Sequence, residues 1–423
     1  MTPPEIPSTM RAVLHDMSTG SLTVSSSIPV PNLADYQSTS LSSPFSSAEG
    51  EGGDRPYLIR ISAISPTRGE LTWPQFFPSL FADRPYPVPG YDLSGTVVAV
   101  GNVGSLPSPS AEGTKSENSY PRTFSPRFSP GDLIFARIPA TRQGALAAYA
   151  VVREGEAAAL HSSNSSSPST DNKLASTSNL RMIKSYGAQI DIISGAASAM
   201  SMITAWQAIF VPRGLLQPPS FDDTGNNIEM IKSEKNKSKT IAVLGSGGGV
   251  GAFAIQLARA VGAGTTIAFV RGEQRVKYVR EVLQADLVID TSSSSLWENY
   301  TLPNIDLLLD CVGDPALVRR VMHHIRSPIG GKVVSIVRPP PSSIEEDEGN
   351  DKDNRNSHGK VEREFFVLTP DGKILAAVRD MVQRGLIKTP QIDEVFWGLE
   401  SAPRAYKRVE QRGLNGKVVI RLD

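Results

Sequence analysis

The stretch Thr240-Ile241-Ala242-Val243-Leu244-Gly245-Ser246-Gly247-Gly248-Gly249-Val250-Gly251 decides the fold. It opens with a β-branched, apolar run that reads as a short buried strand. A glycine-rich turn follows, and Ala252-Phe253-Ala254-Ile255-Gln256-Leu257-Ala258-Arg259-Ala260 continues as a helix. Glycines let the chain turn tightly and bring bare backbone close to a ligand. The first helical turn points unpaired N–H groups and the positive end of its dipole at the same place. A strand, a glycine turn and a helix in this order make a seat for a dinucleotide pyrophosphate. The spacing is G-x-x-G-x-x-G on Gly245, Gly248 and Gly251, not G-x-G-x-x-G; Gly249 and Val250 lie inside it.

Further apolar strands follow at 265–270, 286–289, 305–310 and 332–337, with helical character between 272 and 283. Strands that are apolar throughout and alternate with helices indicate an α/β domain whose parallel sheet is covered on both faces. An NAD site carries an acidic residue about 20 positions past the glycine loop, where it accepts from the ribose hydroxyls. Arg271 stands there instead, with Glu273 two residues on. Arg271 and Arg275 suit a 2′-phosphate, because a guanidinium meets phosphate oxygens as a fork and is always charged. The expected cofactor is therefore NADPH. The alternative is that these residues and Lys277 are solvated charges at a helix start.

The chain has 423 residues, and its 43 Lys+Arg balance its 43 Asp+Glu. Zero net charge gives no electrostatic case for nucleic acid or an anionic membrane surface. The single cysteine, Cys311, excludes an intrachain disulfide and a thiolate zinc cluster. No apolar run approaches the roughly 18 residues that span a bilayer. The N-terminus lacks both a signal-like apolar core and the Arg-rich, acid-poor character of a transit peptide. A cytoplasmic setting is the expectation. Ser-, Pro- and Asn-rich stretches at 35–53, 104–129, 161–179, 217–239 and 339–360, the last of them acidic, read as mobile surface loops.

Short strands at 10–14, 57–63 and 90–101, separated by Pro and Gly, suggest a small β-barrel-like domain ahead of the α/β unit. After residue 361, helices fit 373–384 and 401–411, with Gly385 as a C-cap, and 417–422 reads as a closing strand. In order along the chain come Met10-Arg11-Ala12-Val13, Gly90-Tyr91-Asp92-Leu93-Ser94-Gly95, Pro130-Gly131-Asp132-Leu133-Ile134-Phe135-Ala136 and Gly144-Ala145-Leu146-Ala147-Ala148-Tyr149. Then follow Thr204-Ala205-Trp206-Gln207-Ala208, the glycine loop, Asp310-Cys311-Val312-Gly313 and Gly416-Lys417-Val418-Val419. This series resembles the medium-chain dehydrogenase/reductase superfamily, in its zinc-free branch of quinone oxidoreductases and enoyl reductases.

The resemblance implies a GroES-like β-rich catalytic domain over 10–189, a doubly wound Rossmann domain over 190–340 and a return to the catalytic domain over 361–423. It also implies a cleft between the domains and a homodimer. Zinc-dependent relatives polarise an alcohol with Cys, His and a further ligand. Here Ile64-Ser65-Pro66-Thr67 has no cysteine, Tyr91-Asp92 replaces the His-Glu pair, and the five histidines show no ligand spacing, so no metal is expected. The implied chemistry is hydride transfer from NADPH to a small, hydrophobic conjugated carbonyl compound or quinone. Thr204 is a carried-over nicotinamide contact, with a hydroxyl bonded back into its own helix as the equal alternative. Val312 and Gly313 border the ribose or nicotinamide. Ser65 replaces an asparagine beside the nicotinamide, and Tyr91 is either a proton donor or a packed aromatic. A stand-alone enoyl reductase and a cofactor-binding scaffold with little turnover are the rival readings.

Overall fold

The computed structural model describes residues 5–36, 55–102, 125–161, 189–221, 230–292, 301–325, 331–341, 361–411 and 413–422. Most of the stretches at 35–53, 104–129, 161–179 and 339–360, expected as mobile loops, lies outside the described residues.

Thr240–Leu244 is one of six parallel strands. Their spatial order is Leu287–Asp290, Thr265–Val270, Thr240–Leu244, Leu307–Asp310, Lys332–Ser335, Glu362–Phe365. Side-chain alternation splits the central strand between two cores. Ile241 and Val243 pack with Phe253 and Leu257 of the helix Gly249–Ala260. Ala242 and Leu244 pack with Phe269, Leu308 and Val318 on the other face. Each fully buried Ile, Leu or Val contributes about 1.5–3 kcal/mol, so two-faced burial accounts for the unbroken apolar run. The strand order reverses between Thr240–Leu244 and Leu307–Asp310. Connections from these two strands depart to opposite faces and leave a crevice at their carboxyl ends. The glycine turn opens into that crevice.

The sheet runs one strand past the expected boundary near residue 340. Glu362–Phe365 pairs with Lys332–Ser335, so residues 361–423 do not all return to the catalytic domain. The strand escapes apolar pattern reading because it is polar. It is held by the buried Lys332, whose Nζ lies 2.7 Å from Glu362 Oε1 and 3.0 Å from Glu364 Oε2.

The β-rich domain centres on Pro56–Ser65, which pairs antiparallel with Asp92–Val100 and Tyr149–Arg153. Leu133–Arg137 and Ala157–Ala159 extend one side of this sheet. On the other side, Lys417–Arg421 pairs antiparallel with Pro56–Ser65 and parallel with Ile392–Trp397. The hairpin Thr9–His15/Leu22–Pro29 adds Met10, Val13 and Ile28 to the core formed by Tyr57, Ile59, Leu93 and Ile420. The C-terminal helices are Gly372–Gln383 and Ala402–Glu410, with Gly385 at φ 69° after the first.

Ile192–Ile209 joins the two domains. Asp191 caps it, accepting from the Ser194 amide at 2.7 Å, while Ser194 Oγ accepts from the Asp191 amide at 2.9 Å. At 18 residues it is apolar and long enough to cross a bilayer, contrary to the expectation that no run reaches that length; 72% of it is buried within the protein. Its Ala, Ser, Gly and Met side chains pack on all sides, which removes the amphipathic period. The stretch at 217–239 is not simply a loose loop. Asn236 is buried, accepts from the Gln217 amide at 2.8 Å, and donates to the Gln217 and Val261 carbonyls at 3.1 Å each.

Candidate active site

Gly245 ends its strand at φ 80°, a left-handed conformation that favours glycine. Gly251 is required by packing. A Cβ there would lie 2.7 Å from Ser246 Cα and closer still to the Gly245 carbonyl oxygen. Gly248 differs: it precedes the helix at φ −88°, and a Cβ on it would meet only Gly245 O at 3.4 Å. No side chain caps the helix Gly249–Ala260. Its first N–H groups therefore face the crevice without an intrinsic partner. Val250 is buried in the Rossmann core and fixes the turn rather than lining it.

Arg275 lies across the turn, its Cδ 3.0 Å from a Cβ built on Gly247. Its Nη2 donates to Leu414 O at 2.9 Å, and its Nη1 reaches Arg271 O at 3.4 Å. Arg271 is exposed at the end of Thr265–Val270. Val312 and Gly313 follow Leu307–Asp310, and Asp310 Oδ1 accepts from both their amides at 2.9 Å. Val312 is 46% exposed, with its Cγ2 3.0 Å from a Cβ built on Gly245. The glycines, Val312, Gly313 and Arg275 thus share one edge of the crevice, with Arg271 beside them.

The facing wall comes from the β-rich domain. Ser65 is buried, and its Oγ donates to Val418 O at 2.9 Å, so its hydroxyl is committed to joining two strands. Thr204 Oγ1 donates to Met200 O at 2.7 Å, inside its own helix. Tyr91 is 2% exposed and stacks on Trp73 with centroids 5.9 Å apart. Burial pushes its phenol up to about 12, against the opposing pull of Arg84.

Three groups whose meeting the sequence did not reveal complete this wall. Asp92 is fully buried, and Arg137 Nη1 is 3.5 Å from its Oδ1. Asp92 Oδ2 and Arg137 Nε are buried without a hydrogen-bond partner. Lys417 is half-buried, and its Cδ comes 3.4 Å from a Cβ built on Gly249. Burial lowers the Lys417 ammonium below its usual range, while the neighbouring Asp92 opposes that shift. Burial raises the Asp92 carboxyl, opposed by Arg137 and then Lys417. Asp92 and Lys417 both stand in motifs quoted above, but nothing in those motifs indicates that they meet.

Six parallel strands reversing at a glycine turn, beside an antiparallel β-rich domain closed by the C-terminal strand, define an alcohol-dehydrogenase-like fold. A family model described as "Zinc-binding dehydrogenase" matches residues 283–420. The chain is 27% identical over 421 residues to a "Probable zinc-binding oxidoreductase, mitochondrial" of Arthroderma benhamiae, covering 99% of this chain and 98% of that one. It is also 27% identical over 305 residues to the "NAD(P)H oxidoreductase RTN4IP1, mitochondrial" of Danio rerio, covering 69% of this chain and 66% of that one. An alcohol dehydrogenase superfamily structure from Novosphingobium aromaticivorans superposes with a TM-score of 0.59 at 20% identity, covering 98% of this chain and 100% of that one. The chain is thus similar in sequence to zinc-binding dehydrogenases and NAD(P)H oxidoreductases, and in fold to the alcohol dehydrogenase superfamily. These relatives overturn the cytoplasmic expectation, since both sequence relatives are named as mitochondrial. That expectation rested on the missing signal-like and transit-like patterns at the N-terminus, the single cysteine and the lack of a bilayer-spanning apolar run.

Proposed function

We propose that this chain is an NADPH-dependent, zinc-independent reductase that delivers hydride to a quinone or an α,β-unsaturated carbonyl compound. The observation that carries the reading is the glycine turn at the strand-order reversal, with an uncapped helix behind it and Lys417 across from it. This cradle fits a dinucleotide, because Gly245 and Gly248 leave room for phosphate against bare backbone. The first-turn amides and Lys417 would hold the pyrophosphate. Arg271 and Arg275 would face a 2′-phosphate, and Val312 and Gly313 would border the nicotinamide ribose. When bound, the cofactor supplies the hydride.

The protein's own contribution is orientation and charge. The Asp92 carboxylate, paired with Arg137, attracts Lys417 beside Gly249, against repulsion from the Arg137 guanidinium. Tyr91 keeps its proton throughout the physiological range, so it can donate a hydrogen bond to an oxygen that gains charge. Ser65 and Thr204 act as positioning residues, since both hydroxyls are used within the fold. Zinc does not suit the donors present. A hydroxyl bonded to a carbonyl and a stacked phenol stand where a zinc site would need thiolate and imidazole.

The test is NADPH oxidation at 340 nm with 1,4-quinones and small enones, with NADH and Arg271→Ala as comparisons. Quinone- or enone-dependent consumption of NADPH that weakens about tenfold in Arg271→Ala is expected. Equal use of NADH would remove the phosphate role of Arg271. Binding of NADPH without turnover of any acceptor would favour a cofactor-binding scaffold.

A further inference from the structure

Beside Tyr91 lies a cavity of about 310 Å³, lined by His15, Glu70, Phe81, Arg84 and Pro89 among others. Its size suits a small organic ligand. Its polar groups are not equally free. Glu70 accepts from Tyr406 Oη at 2.6 Å, the Gly90 amide at 2.7 Å and the Thr67 amide at 3.0 Å. Those three donors occupy its carboxylate. His15 is buried, and burial disfavours its charged form, against the opposing pull of Asp16. Tyr91 remains a phenol.

Arg84 is different. Its guanidinium stacks on Phe81, 3.9 Å from the ring centroid, and lies 5.2 Å from that of Tyr91. Two of its nitrogens, Nε and Nη2, are buried and have no hydrogen-bond partner. A buried donor without a partner destabilises the fold, the more so on a charged group. Nε and Nη2 form one edge of the guanidinium, and their N–H bonds run parallel. That edge matches the two oxygens of a carboxylate. The aromatic faces of Phe81 and Tyr91 hold the fork in place.

We propose that this cavity binds a carboxylate through Nε and Nη2 of Arg84, and that the acceptor is a conjugated carbonyl compound bearing an acidic group. The acceptor part of this inference rests on the reductase reading above; the carboxylate site does not. The apolar remainder of the cavity, with Phe81 and Pro89, covers the carbon skeleton.

The probes are 4-oxopent-2-enoate and its methyl ester, measured by calorimetry on the full chain saturated with NADP⁺, where no hydride transfer occurs. The acid is expected to bind at least tenfold more tightly than the ester. Arg84→Gln is expected to abolish that preference. Arg84→Lys, which keeps the charge without the planar fork, is expected to retain only part of it and serves if the glutamine variant does not fold. Equal affinities for acid and ester, or a preference that survives Arg84→Gln, would overturn the carboxylate site. NADPH consumption with both the acid and the ester tests the reductase reading separately. Its failure with the acid preference intact would sink that reading and leave Arg84 as a carboxylate site.

Discussion

Gly248 and Gly251 lie three residues apart in one turn, yet their replacement by alanine should fail in different ways. At Gly251 a Cβ would sit 2.7 Å from Ser246 Cα, where ordinary contact begins at 3.4 Å. The helix Gly249–Ala260 must therefore retreat by at least about 0.7 Å from the end of its strand. Overpacking of this kind costs about 1–3 kcal/mol, offset by up to about 1 kcal/mol of helix propensity. Net destabilisation of roughly 1–2 kcal/mol is expected, with loss of cofactor binding as the first-turn amides move. At Gly248 a Cβ meets only Gly245 O, at 3.4 Å, and φ is −88°, so alanine fits the fold. It occupies the space proposed for phosphate. Losing a hydrogen bond to a charged group costs about 1.5–3 kcal/mol, or roughly 10- to 150-fold in Kd. Thermal melting with and without NADPH, together with fluorescence titration, reads both quantities. Gly248→Ala should melt like the parent and bind NADPH at least tenfold more weakly. Unchanged affinity in Gly248→Ala would refute the argument that phosphate lies against this turn.

Two further outcomes are expected. Asn236→Ala should lower stability by about 2–4 kcal/mol, because three hydrogen bonds vanish and backbone groups of Gln217 and Val261 lose their partner; denaturant unfolding measures this, and NADPH affinity should not change. Tyr91 carries a pKa raised from 10.0 to about 12, so the folded protein holds this proton after the unfolded chain has released it. The resulting stability is fully present below pH 10 and lost as pH rises towards 12. Stability read from denaturant unfolding should fall less steeply with pH over that window in Tyr91→Phe, and an identical slope would remove the burial argument.

The strands at 240–244, 265–270, 287–290, 307–310 and 332–335 were legible because burial on both faces demands unbroken apolar runs. Glu362–Phe365 was not, since it is held by ion pairs to Lys332 rather than by an apolar face. Ile192–Ile209 was hidden for the opposite reason: surrounded by protein, it has no polar side to set a period. Among the site residues, the glycines could be read because their roles are local. Val312, expected with Gly313 to border the ribose or nicotinamide, packs against Gly245 of the turn. The Ser65 hydroxyl was assigned an outward role and that of Thr204 either an outward role or a bond back into its own helix, and the structure bonds both to backbone carbonyls. Lys417, Asp92 and Arg137 went unnoticed because their meaning is joint, and only tertiary structure brings them together.

The bond from Ser65 to Val418 spans 353 positions, and that separation has a cost during synthesis. At about 5–20 residues per second, one edge of Pro56–Ser65 waits about 18–70 s for the strand that covers it. The whole parallel sheet emerges in the interval, and its pairings need no residue beyond Phe365. The nascent chain thus carries a finished nucleotide domain beside an open sheet edge, which is a template for pairing with other chains. Lesions in Lys417–Arg421 should therefore surface as aggregation of newly made protein, well before any deficit in catalysis is seen.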